Sequence, residues 1–231
     1  MRIPGIIARC IFIICLPFLL LTASIGCAVN SLWLYESGFD KYNVSHSTGL
    51  IEPELEKAAR GLISYFNSGD EFISLTVDKD GKPFVLFNER EVVHLRDVKG
   101  LIRLDYTVLL WTFVYSLVYT LTLLLWRKRM YWRQLAWGVV GGSGVTLTIM
   151  LVLGLGILFS FDRLFLQFHV LSFANDFWQL DPTSDYLIML FPQGFWYDTT
   201  LFCALGALVA AIILGLATGG YLWFTRSKAT P

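Results

Sequence analysis

Four stretches of the chain carry no charged residue: 10–35, 106–126, 134–161 and 199–225. Each supplies the roughly 20 apolar residues that an α-helix needs to cross about 30 Å of hydrocarbon. Backbone groups in lipid must be satisfied internally, so these stretches predict helices rather than open strands. Between them the pattern changes. Residues 54–66 place Leu55, Ala58, Ala59, Leu62, Ile63 and Phe66 at helical spacing, with Pro53 in the first turn, where a missing N–H costs nothing. Residues 71–77 and 83–87 are rich in β-branched and aromatic residues. They flank Asp78-Lys79-Asp80-Gly81, a turn signal, and the pair predicts a hairpin. Asn88 followed by Glu91 reads as a capping-box start of a helix that should run through Asp105 into the second span.

The stretch before the fourth span is different. Residues 161–178 mix Phe161, Phe165, Phe168, Phe173, Phe177 and Trp178 with Gln167, Ser172, Asn175 and Asp176. That is too polar to span and too aromatic for a free loop, so it predicts a helix lying in the membrane interface. Asp181-Pro182-Thr183-Ser184-Asp185 then reads as a turn and helix cap, and Phe195, Trp196 and Tyr197 mark the bilayer boundary. The expected class is an α-helical integral membrane protein. It has four transmembrane helices, a small α/β extracytoplasmic domain and an interfacial amphipathic helix. The expected divisions are a first span within 1–35, the extracytoplasmic domain over 36–105, and a second span with its basic link over 106–133. A third span over 134–160, the interfacial segment over 161–198, and a fourth span with its tail over 199–231 complete the chain.

Composition agrees with this pattern: 55% of residues are hydrophobic, 16% are charged and the mean hydropathy is +0.59. A soluble domain carries about 25% charge. Arg127, Lys128, Arg129 and Arg133 crowd the second link, Arg2 and Arg9 precede the first span, and Arg226 and Lys228 follow the fourth. These regions belong on the cytoplasmic side, with both termini. The 36–105 link holds nine Lys and Arg, but domains of that length translocate largely regardless of charge. The zero net charge gives no electrostatic case for a nucleic-acid partner. Cys10, Cys15, Cys27 and Cys203 all fall inside proposed spans, which leaves the outer segments without a disulfide framework or a cysteine metal site. Ser24-Ile25-Gly26-Cys27 has the look of a lipoprotein cleavage site, but the apolar run continues past it, so an uncleaved helix is expected. Gly141-Gly142-Ser143-Gly144 should permit close helix packing.

The candidate chemistry is two histidines. At helical spacing His94 has Glu91, Asp97, Val98 and Leu101 as neighbours, which is an apolar side with a carboxylate one turn away in each direction. A carboxylate favours the protonated imidazole and burial opposes it, a balance suited to a general base. His169 sits among Phe165, Phe168 and Phe173 with Ser172 and Asn175 close by. The plainer reading of each is a histidine satisfied structurally at headgroup level. His46, in a turn-like run, reads as solvated. No nucleophile-elbow, zinc-protease or phosphate-loop motif occurs, and no ionisable side chain other than cysteine or tyrosine interrupts the four apolar stretches. A pathway for ions through the bilayer is therefore not expected.

Three segments carry a resemblance. They are Asn30-Ser31-Leu32-Trp33-Leu34-Tyr35 followed by Gly38-Phe39 and Lys41-Tyr42; the Arg90-Glu91, His94-Leu95 and Asp97-Val98-Lys99 pattern; and Phe168-His169 followed by Phe173, Asn175, Trp178, Asp181-Pro182 and Asp185. Together they resemble the bacterial lipoprotein intramolecular transacylase family over nearly the whole chain. The resemblance implies a site on the outer face of the bacterial cytoplasmic membrane and substrates that are diacylglyceryl-modified lipoproteins in membrane lipid. It implies transfer of the sn-2 acyl chain to the α-amine of the same terminal cysteine, without a cofactor. The family's two functional histidines fall on His94 and His169. Tyr35, Glu91, Asp97, Asn175 and Asp181 are the expected supporting or substrate-binding residues.

Such a transfer needs no enzyme nucleophile if ester and amine are held together. It needs a base for the ammonium and donors for the oxyanion. His94, oriented by Glu91 or Asp97, is the expected base and His169 the expected donor. Two other readings compete: a non-catalytic module that binds lipid or a membrane partner, and a zinc hydrolase built on His94, His169 and Asp97.

Overall fold

A computed structural model describes residues 3–125 and 129–227. Of the basic residues used above, Arg2, Arg127, Lys128 and Lys228 lie outside the described residues. The elements are α1 (Ile3–Val29), α2 (Leu32–Lys41), α3 (Val44–Thr48), α4 (Glu52–Asn67), β1 (Thr76–Lys79), β2 (Lys82–Val85), α5 (Glu89–Leu125), α6 (Arg129–Ser172), α7 (Tyr186–Leu190) and α8 (Gln193–Ser227). Four of these helices, α1, α5, α6 and α8, are long and apolar enough to cross a membrane. The chain divides into two compact units. One comprises Met1–Ile25, Asp105–Gly156 and Phe202–Pro231; the other comprises Gly26–Leu104 and Ile157–Leu201.

The first unit is a bundle of the apolar parts of the four long helices. Its helices approach closely where side chains are small. A Cβ added at Gly142 would lie 2.7 Å from Leu16 Cδ2, and one at Gly141 would lie 3.1 Å from Ile13 Cδ1. The glycines therefore let α6 lie against α1, as their sequence suggested; Gly144 faces open space and takes no part. The Phe12 and Tyr119 rings stack at 4.7 Å, and the Tyr115 hydroxyl donates to Ala8 O at 2.8 Å. The threonines Thr112, Thr122, Thr146, Thr148 and Thr218 each donate to the carbonyl four residues back. Their hydroxyls are thus satisfied within their own helices, as lipid requires. Large apolar side chains such as Trp111, Leu151 and Leu216 remain exposed on the outside.

The second unit packs α2, α3, α4, α7 and the short sheet around Leu50, Leu62, Val77, Leu86 and Leu190, all almost fully buried. Here the structure amends several expectations. The first helix ends at Val29, and Tyr35 lies in α2, a separate helix that starts after Ser31, so the first helix stops before the charge-free stretch 10–35 does. The turn-like run around His46 contains the five-residue helix α3, although His46 itself is exposed as expected. The hairpin is shorter and tighter than predicted. Asp78 and Lys79 belong to β1, and only Asp80 and Gly81 turn, both at positive φ (56° and 75°) as a two-residue primed turn demands. Pro83 opposes Asp78, whose own N–H is taken by Glu54 Oε2 at 2.7 Å.

The helix after Asn88 behaves as the sequence predicts. Asn88 N–H donates to Glu91 Oε2 at 2.7 Å and Glu91 N–H to Asn88 Oδ1 at 3.1 Å, a reciprocal capping box. Residues 89–105 carry eight charges and belong to the polar part of α5, and the apolar spanning part starts at Tyr106. In α6 the backbone leaves helical geometry at Ser160 (φ −160°, ψ 51°), which separates residues 161–172 from the apolar run before them. This segment turns Leu166, Val170 and Leu171 outward, as an interfacial helix would. It stops at Ser172 rather than Trp178; residues 173–185 form an irregular loop.

Candidate histidine site

The two histidines meet inside the second unit. His94, on the second turn of α5, and His169, near the end of α6, present near-parallel rings with centroids 6.2 Å apart and 29° between planes. They lie 75 residues apart in sequence. Phe173 packs edge-on against His94 at 4.9 Å and beside His169 at 5.5 Å. Phe165, Phe168 and Trp178 complete the surround of His169 at 4.4, 5.3 and 5.1 Å. Both imidazoles are buried, 7% and 9% exposed, in a wall of rings.

Their polar contacts differ. His169 Nδ1 lies 2.8 Å from Phe165 O, one turn back on its own helix. A carbonyl oxygen only accepts, so Nδ1 carries the proton and Nε2 of the neutral ring is left with its lone pair. His94 Nδ1 is buried and has no hydrogen-bond partner among the described residues. The expected carboxylate orientation of His94 is not found. Glu91, 1% exposed, points elsewhere: its Oε2 caps α5 and its Oε1 accepts from Leu187 N–H at 2.6 Å in the first turn of α7. A single carboxylate thus holds the starts of two helices. Asp97 Oδ2 accepts from Asn175 Nδ2 at 2.7 Å, and Asp97 Oδ1 accepts from Arg96 at 3.3 Å.

Electrostatics follow from burial. Desolvation, with the His169 ring adding to it, pushes His94 down to about 4, against a smaller opposing pull from Asp97. Desolvation also lowers His169, opposed by the Phe165 carbonyl. Both rings are therefore neutral at physiological pH. Burial raises the Glu91 carboxyl, opposed by the backbone N–H groups of Leu187, Asn88 and Tyr186.

The remaining candidates are spread more widely. Asn175 joins the site's edge, with its Oδ1 accepting from Phe177 N–H at 3.1 Å. Tyr35 is buried against Phe39, Phe191 and Phe195, and its hydroxyl donates to Val29 O at 3.1 Å. Asp181 is exposed and closes a local turn by accepting from Thr183 N–H and Oγ1. Among the described residues no three His, Cys, Asp or Glu side chains cluster as a metal site would need. Two features escaped sequence reasoning. Asp185, buried, receives Asn88 Nδ2 at 2.9 Å and Asp181 N–H at 2.7 Å. Arg90 Nη2 donates to the backbone carbonyls of Asp176 and Gln179 at 3.3 and 3.2 Å. A carbonyl acceptor leaves no trace in a sequence.

A family model described as lipoprotein intramolecular transacylase Lit matches residues 10–196. The chain belongs to this family. Its histidine pair, its loop and most of its spans lie inside the matched region. A solved structure of the membrane-integral lipoprotein intramolecular transacylase Lit from Bacillus cereus is similar over 99% of both chains, with a TM-score of 0.79 and 20% identity. A histidine-to-alanine variant of that Bacillus cereus protein is similar over 96% of both chains, with a TM-score of 0.75 and 19% identity. An uncharacterized protein of Aquifex aeolicus (strain VF5) is 28% identical over 213 residues, 90% of this chain and 91% of its own. This transacylase-family chain is thus a multi-pass, α-helical integral membrane protein with the fold of the Bacillus cereus structure.

Proposed function

We propose that the chain transfers the sn-2 acyl group of a lipoprotein's diacylglyceryl moiety to the α-amine of the same terminal cysteine, leaving a lyso-form lipoprotein. The observation that carries this reading is the pair of buried, neutral imidazoles facing one another within a wall of aromatic rings. Ester and amine sit on one molecule, so holding them together supplies much of the rate and no enzyme nucleophile is required. The amine must lose a proton to attack. The resulting oxyanion needs a donor, and the departing glyceryl oxygen needs a proton when the ester C–O bond breaks.

The division of labour that fits the hydrogen bonds reverses the one expected from spacing. His169, its Nδ1–H tied to Phe165 O, offers Nε2 as base to the amine and returns that proton to the leaving oxygen. His94, held neutral by burial and without a carboxylate at Nδ1, serves as the N–H donor toward the oxyanion. The rings give the acyl chains an apolar seat, and the outward leucines of residues 161–172 face lipid. The positive-inside pattern of the sequence supports a site at the outer leaflet, with both termini cytoplasmic.

The test is expression in a host that lacks lipoprotein N-acylation, with mass spectrometry of N-terminal lipopeptides. Wild type should produce lyso-form lipoprotein. His94→Ala and His169→Ala should each lower conversion by roughly 10² to 10⁴-fold, and the double variant should be little worse than either. Conversion at the wild-type rate by either single variant refutes the mechanism.

A further inference from the structure

The loop that covers the two histidines is fastened to the helix that carries one of them. Residues 173–179 contribute Phe173 and Trp178 to the ring wall, yet this loop has no secondary structure to hold it there. Phe173 N–H donates to His169 O at 3.0 Å at the end of α6, and among the described residues the side chains that fasten the rest of the loop come from the first three turns of α5. Asn175 Nδ2 reaches Asp97 Oδ2, and the same Asn175 fixes its own loop by accepting from Phe177 N–H. About two turns nearer the start of α5, the Arg90 guanidinium bridges the carbonyls of Asp176 and Gln179. Farther along, Asn88 holds Asp185, and Glu91 holds Leu187 N–H.

We propose that Arg90 and the Asp97–Asn175 pair form a clip that keeps Phe173 and Trp178 closed over His94 and His169, so that Arg90 is a positioning residue for the transfer. The proposal rests on the reading of the histidines as the reacting groups. It also gives Asp97 a different task from the one its spacing suggested: the carboxylate acts through the loop and not through a hydrogen bond to His94. Arg90 reaches both carbonyls from Nη2, whose two N–H bonds lie at fixed angles in the rigid guanidinium plane. A lysine in its place keeps the charge but presents a freely rotating ammonium on a flexible stem. With the clip closed, water is kept from the imidazoles and the acyl chains meet rings instead of solvent. With the clip open, both rings become wet.

Two kinds of substitution separate a clip from a charge partner of His94. Asp97→Asn keeps an acceptor for the Asn175 amide and removes the charge, so a clip tolerates it. Asn175→Asp keeps the Asp97 charge but sets two carboxylates against each other, so a clip breaks. Asp97→Asn combined with Asn175→Asp restores the bond with its direction reversed. The readout is carbethoxylation by diethylpyrocarbonate, measured for each histidine by peptide mass spectrometry on the full chain in membranes. His46 is exposed and serves as the internal reference. Arg90→Ala and Asn175→Asp should raise labelling of His94 and His169 relative to His46 by about tenfold, the change in open fraction expected from one lost charge-assisted hydrogen bond. Arg90→Lys should lie between Arg90→Ala and wild type. The exchanged double variant should return to the wild-type ratio.

Unchanged ratios in Arg90→Ala and Asn175→Asp would overturn the proposal. So would loss of hydrogen-exchange protection across α4 in every clip variant, since that would mean that these bonds hold the whole unit and not the loop. None of these measurements uses acyl transfer, so the clip can stand if the lipoprotein reaction is not observed. Transfer by wild type with unaltered labelling in the variants would sink the clip alone.

Discussion

Lowering the pH should loosen the second unit through His94. The ring titrates at an ordinary 6.5 in the unfolded chain and at about 4 when folded. Between these values the unfolded chain binds a proton that the folded chain refuses, so stability rises with pH through this window. His94's contribution is complete above about 6.5 and is lost as pH falls toward about 4. Each pH unit inside the window is worth about 1.4 kcal/mol, so going from pH 7 to pH 5 should cost about 2 kcal/mol, or roughly a 30-fold rise in the unfolding constant. His169 is shifted in the same direction and adds to the effect. The groups that face His94 are His169 from α6, which lowers it, and Asp97 from α5, which raises it. Pulse proteolysis in bicelles at pH 5, 6 and 7 measures the slope, with His94→Leu as the comparison. The leucine fills the same apolar surround and has nothing to titrate, so most of the slope should vanish. Equal slopes in wild type and His94→Leu would refute the reasoning, because they would place the proton uptake somewhere else.

Two further outcomes follow from named contacts. Asn88→Ala removes a helix cap and the amide that holds Asp185, and should destabilise the unit by about 2 kcal/mol, read as lost hydrogen-exchange protection at both α5 and α7. Protection lost at α5 alone would show that the Asp185 bond carries no weight. In a background with all four native cysteines replaced, Asp80→Cys in the hairpin turn should react with an impermeant thiol reagent in intact cells and Trp132→Cys should not. The opposite labelling would reverse the proposed orientation.

The sequence carried the local features well. The spans were visible as absent charge, and the Asn88–Glu91 capping box was visible because both partners lie within one turn. The limits of the hairpin were less visible, since the run of residues 71–77 is apolar enough for a strand but only Thr76 and Val77 join the ladder, with Leu75 O accepting Leu86 N–H just beyond it. The end of the first span was missed for a related reason: Asn30 and Ser31 break a helix without adding charge, so the apolar run continues through a change of element. The histidine pair was suggested by residue type and the aromatic surround of His169 by spacing, while the polar partners of the pair were not. Spacing placed Glu91 one turn from His94, yet a carboxylate finds its partner in three dimensions, and the N–H of Leu187 nearly a hundred residues away was the better one. The Phe165 carbonyl that fixes His169 was in principle legible, as a residue four positions back on a helix. It was overlooked because a backbone acceptor is the same whatever its side chain.

If the site admits and releases a lipid, as the proposed reaction requires, that carbonyl has a consequence for it. The cover over His169 is borrowed from a loop, but the bond that sets the ring's tautomer is made within a single helical turn. Lifting Phe173 and Trp178 to let a product leave would disturb the walls of the site and leave the proton on Nδ1 where it was. The next substrate would then meet a ring already in the right tautomer, however many times the loop had opened and closed. Turnover and readiness would in this way be separated: the loop is held by contacts distant in the chain, and the tautomer of His169 is held by its own neighbour.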